Sequence, residues 1–168
     1  LAADLAHLPP VAVAVIAGVA GAAHACRLAL WQPLLTRGTP LVWILHASYA
    51  WLVLYLLLRA FAGFGIVLPN LATHALAVGA IGGLTLGMMT RTARGHTGRP
   101  LRAEAAETAC YVLINLAAVV RVFVPLAEPA SYRDAVILSG VLWIAAFAVF
   151  FGKYWTILTR PRVDGRSG

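Results

Sequence analysis

The chain has 168 residues, 61% of them hydrophobic and 11% charged, with a formal net charge of +7. So few charged residues cannot form the polar shell of a soluble domain this size, so the composition excludes a water-soluble globular fold and makes lipid the solvent. The positive charge does not point to nucleic acid either, because the basic residues sit in loops between apolar runs and no recognition motif accompanies them.

Apolar runs of about twenty residues, the length that crosses a bilayer core, predict spans over 9–31, 41–63, 71–92, 104–125 and 134–157. Helices are expected because unpaired backbone groups are costly in hydrocarbon, and no two-residue alternation suggests a barrel. The expected fold is an all-α integral membrane bundle of about five transmembrane helices with short loops. It divides into a transmembrane domain over 1–160 and a polar tail over 161–168, too glycine-rich to fold by itself. The chain opens at Leu1 without a basic n-region or cleavage site, as expected of a processed chain or the ordered portion of a longer one.

The first predicted helix opens at Pro9 and Pro10 and carries His24, which shares a face with Ala17, Ala20, Gly21 and, one turn on, Arg27. Small residues beside an imidazole leave room for a porphyrin, with His24 as axial ligand and Arg27 pairing a propionate. The same residues equally permit tight helix packing, with His24 bonded to a carbonyl. Cys26 here and Cys110 later lie in apolar runs, where a free cysteine behaves as a small hydrophobe.

In the second predicted helix His46 stands one turn from both Trp43 and Tyr49. It fits either a metal ligand or a histidine hydrogen-bonded across helices, and the spacing does not decide. The third follows Pro69 and Asn70 and carries His74 near its start, a ligand or an interfacial histidine. It also carries Gly79, Gly83 and Gly87, a small-residue ridge that lets another backbone come close. Met88 and Met89 are soft donors suited to Cu(I), although adjacent positions point to different sides of a helix.

From Met89 to Leu101 the sequence MTRTARGHTGRPL reads as an ordered polar loop. Arg91, Arg94 and Arg99 suit a clamp for carboxylates or phosphates, and His96 adds a metal ligand or a titrating group. Glu104 and Glu107 open the fourth helix, complementing its positive end and pairing with Arg102 or Arg99. Thr108, Asn115 and Ser139 are candidates for interhelical hydrogen bonds, and Pro125 is expected to close the fourth helix.

The first, third and fifth helices end on one face, with Arg37, Arg91, Arg94, Arg99, Arg102, Lys153, Arg160, Arg162 and Arg166; Arg59 and Arg133 lie opposite. Such asymmetry predicts that the arginine-rich face is cytoplasmic, with the C-terminus there. His24 and His46 then share a depth near that face, His96 lies just beyond, and His7 and His74 lie at the other.

The segment LGMMTRTARGHTGRPL resembles the signature of the NnrS family, membrane proteins of the bacterial nitrogen-oxide response. PLVWILHASYAWL around His46, HALAVGAIGG from His74, YVLINLAAVVRV and the closing RPRVDGR extend the resemblance from about His24 to Arg166. The resemblance implies haem binding, copper association, and a role in nitric-oxide resistance or denitrification-linked redox physiology in the inner membrane of a bacterium. Read together with the residues, it makes His24, His46, Arg27, Arg91 and Arg99 candidates for holding haem, and His24, His46, His74 and His96 candidates for a metal. Family members are longer, with further helices ahead of the matching part, so a preceding helical region or other membrane subunits are expected partners besides the bilayer. The alternative function is a non-catalytic accessory subunit whose histidines make structural hydrogen bonds and whose glycine ridge docks on partner helices. No nucleophile with a paired base supports hydrolytic or acyl-transfer chemistry.

Overall fold

The computed structural model describes residues 8–165; His7 and Arg166 lie outside them. Five helices long and apolar enough to cross a membrane follow one another. They are α1 (Pro10–Leu30), α2 (Pro40–Gly63), α3 (Pro69–His96), α4 (Ala105–Ala127) and α5 (Tyr132–Leu158), the last after a 3-10 turn at Pro129–Ser131. Proline begins α1, α2 and α3, where its missing N–H has no helical acceptor and its fixed φ suits the first turn.

Two boundaries differ from those expected. The third helix runs on through Arg91 and Arg94 to His96, so half of the expected loop is helix. Polar side chains do not stop a helix that is leaving the membrane, because its backbone bonds stay internal while its side chains reach water. It stops at Gly98, whose φ of +72° is left-handed. There the Gly98 N–H bonds the carbonyl of Gly95 at 3.2 Å and the Arg99 N–H bonds that of Arg94 at 2.9 Å, the double closure that a glycine permits. The fourth helix runs past Pro125 to Ala127, since a proline in the last turn deprives only one carbonyl of its partner. Within α3, Ala75–Ile81 is wound as a π-helix, a local widening often found at functional sites.

Small residues set the packing. The glycine ridge of α3 lies on α2, running antiparallel to it. A Cβ on Gly79 would collide with the ring of Trp51, one on Gly83 with Ser48, and one on Gly87 would stand 3.1 Å from Ile44. Trp51 in turn donates to Asn115 of α4 at 2.9 Å, which gives the expected mid-membrane amide its interhelical partner. On the other side of α2, Gly21 of α1 fits under Leu57, and Gly63 of α2 fits against Ala14. Outward apolar side chains such as Val19, Leu30 and Ile144 remain exposed, as expected of surfaces facing lipid.

The tail after Arg160 docks back on the end of α3. Arg162 donates to the carbonyl of His96 at 2.8 Å and pairs with Asp164, while the Val163 N–H reaches the carbonyl of Thr97. A cation on terminal carbonyls suits the negative end of a helix.

Candidate functional site

His24 and His46 belong to one aromatic cluster at the α1–α2 connection. The Nδ1 of His24 lies 2.5 Å from the Tyr49 hydroxyl, and the Nδ1 of His46 lies 3.1 Å from the Thr36 hydroxyl. Trp31 sits among them, its ring 4.8 Å from that of Tyr49 and 6.2 Å from that of His46. The rings run His24, Tyr49, Trp31, His46, so the two imidazoles share a cluster but face its aromatic members rather than each other. Both are partly buried, and each is gripped at Nδ1 by a hydroxyl. When Nδ1–H donates, Nε2 keeps its lone pair, the disposition of a metal-ligating histidine oriented through its other nitrogen.

The small face of α1 is not an open berth for a macrocycle. Ala17 and Gly21 are buried, and Leu56 and Leu57 of α2 fill the space beside Gly21, so helix packing accounts for those residues. Space is found instead beside His46, in a groove of about 390 Å³ whose lining includes Leu28, Arg37, Trp43, Ala47 and Ala50. Arg37 therefore stands where a cation beside His46 is useful, whereas Arg27 is exposed in the last turn of α1. Arg37 was visible in the sequence only as a topology charge, because the turn at Pro33–Thr36 that brings it over α2 has no periodic signal.

The remaining candidates are dispersed. His74 of α3 presents Nε2 to the Tyr132 hydroxyl at 3.3 Å, near the face opposite the arginines. His96, at the end of α3, is exposed and shares a groove of about 390 Å³ with Met88 and Arg91. Arg99 is not among that lining; its Nη1 is buried without a hydrogen-bond partner. Among the described residues, no three His, Cys, Asp or Glu side chains come together as a metal cluster.

A second polar centre ties α3, α4 and α5 together. Glu107, 1% exposed, accepts from Arg94 at 2.7 Å, from Tyr154 at 2.9 Å and from Lys153 at 2.8 Å. It also accepts the Glu104 backbone N–H at 3.0 Å, one half of a reciprocal cap on the first turn of α4. Glu104 accepts from Arg94 and Lys153 at 3.0 and 2.8 Å. Two cations and two carboxylates balance. These partners replace the expected Arg102 and Arg99, neither of which makes an ion pair with Glu104 or Glu107 among the described residues. Glu104 lies just ahead of α4, and hydrogen bonds from Lys153 first and then Arg94 hold its carboxyl below the usual range. Of the other polar candidates, Thr108 bonds the Glu104 carbonyl next to its own helix, and the Ser139 hydroxyl makes no hydrogen bond among the described residues.

This architecture defines a multi-pass helical membrane protein, with two hydroxyl-held histidines near its arginine-rich end and a neutral ion cluster locking three of its helices. The chain belongs to the NnrS family, whose model, described as NnrS protein, matches residues 1–162. No curated protein and no solved structure matches it.

Proposed function

We propose that this chain is a haem-binding protein of the bacterial inner membrane, acting in the response to nitric oxide, with its arginine-rich face in the cytoplasm. The observation that carries the reading is the grip on His24 and His46, each held at Nδ1 by a hydroxyl with Nε2 uncommitted. One or two imidazoles suffice for axial ligation, whereas a protein copper site generally takes more ligands. Haem is therefore the cofactor these residues fit, and copper would need ligands beyond those gathered here. The groove beside His46 supplies apolar walls and, in Arg37, a cation for a propionate. When bound, haem supplies an iron that binds small diatomic molecules such as nitric oxide. The chain's own residues orient the imidazoles and shield them with Trp31 and Trp43.

Purified protein loaded with haem should show a Soret band that disappears when His24 and His46 are both replaced by Ala and persists in His96→Ala. Tyr49→Phe should keep the band but weaken haem affinity about tenfold if His24 is the ligand, because it removes the group that orients the imidazole. A full Soret band in the double replacement would reject this site.

The accessory-subunit reading draws on α1, which packs on α2 and leaves Val11, Val15, Ile16 and Val19 exposed for lipid or a partner helix. Failure of the protein to take up haem would favour it.

A further inference from the structure

Away from the arginine-rich face, α3, α4 and α5 line a lateral cavity of about 410 Å³ that is open at the surface of the bundle. Its walls include Ala77 and Val78 of the π-wound segment, Arg121 of α4, and Ser139, Trp143 and Ile144 of α5. Arg121 precedes the end of α4 by six residues and Ser139 follows the start of α5 by seven. That places the cavity roughly 10 Å inside the helix ends, within the hydrocarbon.

Its polar groups are unengaged. The Nε of Arg121 is buried with no hydrogen-bond partner, and no described carboxylate pairs with the guanidinium. Ser139 is 3% exposed, yet among the described residues its hydroxyl has no partner either. Trp143 adds an indole whose nitrogen lies against α3, 3.4 Å from where a Cβ on Gly82 would stand. An arginine that only reached up to the headgroups would still leave Nε shut away and unpaired. A charge and a hydroxyl left this way in hydrocarbon are costly, and each lacks an acceptor.

We propose that this cavity binds the anionic oxygen head of a membrane-dissolved amphiphile, a carboxylate or phosphate accepting hydrogen bonds from Arg121 and Ser139. The acyl chain leaves past Ile144, which is 67% exposed, into the bilayer. A neutral carbonyl would satisfy the donors but leave the guanidinium charge unbalanced, whereas an anion answers both. The head is that of a free fatty acid or of an anionic phospholipid, which share this chemistry.

Trp143 reports on occupancy. The whole chain in phosphatidylcholine vesicles is titrated with dibrominated stearate and, separately, dibrominated phosphatidylglycerol, taking the Trp143 fluorescence as the difference from Trp143→Phe. Saturable quenching beyond that by dibrominated phosphatidylcholine is expected, from stearate for a free acid and from phosphatidylglycerol for a phospholipid. Arg121→Gln should weaken it about tenfold, the loss of a charge-assisted hydrogen bond. Ser139→Leu, which fills the cavity and keeps the charge, should abolish it. Neither probe exceeding phosphatidylcholine overturns the proposal, and this titration of the unaltered chain decides even where a variant fails to fold. Unchanged quenching in both folded variants overturns it as well.

Discussion

At Glu107 an arginine, a lysine, a tyrosine and a backbone N–H converge on one carboxylate. Removing it leaves Arg94, 4% exposed, without its closest partner, and breaking a buried pair from one side costs about 3 kcal/mol or more. Glu107→Ala should therefore lower the thermal unfolding midpoint by many degrees, whereas Glu104→Gln, at a side chain 61% exposed, should lower it little. The sign with pH follows from the lowered pKa of Glu104. Its contribution is fully present above the unfolded carboxylate pKa and fades as pH falls through the folded value, so the unfolding midpoints of the native chain and Glu104→Gln should converge in acid. A persistent gap at acid pH would show that the carboxylate charge is not what Glu104 contributes. The polar candidates were legible in the sequence as residues, and their partners were not. Arg94 and Glu107 are 13 positions apart, Glu107 and Lys153 are 46, and His24 and Tyr49 are 25. Local spacing favoured Arg102 and Arg99 because only neighbours on the chain can be paired without knowing how helices cross.

The helices themselves were legible to within about four residues, because the length of an apolar run is fixed by bilayer thickness. The π-wound segment was not, since nothing in its run of small apolar residues marks a widened turn; its Gly79 lies against the ring of Trp51. The glycine ridge was readable as a contact surface, though not which helix it meets. Its middle member supplies the test. Gly83→Leu must force α2 and α3 apart at Ser48 and cost about 1–3 kcal/mol or more, whereas a Cβ on Gly152 of α5 would have nothing within 4 Å. Gly152→Ala should be neutral or stabilising by about 0.5–1 kcal/mol through helix propensity alone. Thermal melting of the two variants in detergent separates the sites, and equal midpoints would show that the ridge is not a packing surface.

For the whole molecule the open variable is orientation, and the charges bear on it in two ways. Arg37, Arg91, Arg94, Arg99, Arg102, Lys153, Arg160 and Arg162 gather at one end of the bundle and Arg59 and Arg133 at the other, the kind of bias from which the cytoplasmic placement of the basic end is proposed. Once folded, Arg94 and Lys153 are neutralised by Glu104 and Glu107, and Arg162 is held by Asp164. Arg91 remains exposed at the same end, beside Thr92, so the asymmetry survives folding and presents a basic surface to anionic headgroups. Thr92→Cys places a thiol on that surface, and the native cysteines leave the measurement clean once Cys26, which is exposed, is replaced by Ala; Cys110 is buried. A membrane-impermeant maleimide should then label Thr92→Cys in inverted vesicles and not in intact cells. Labelling from outside intact cells would reverse the orientation, and with it the side from which the histidine cluster at the α1–α2 connection is approached.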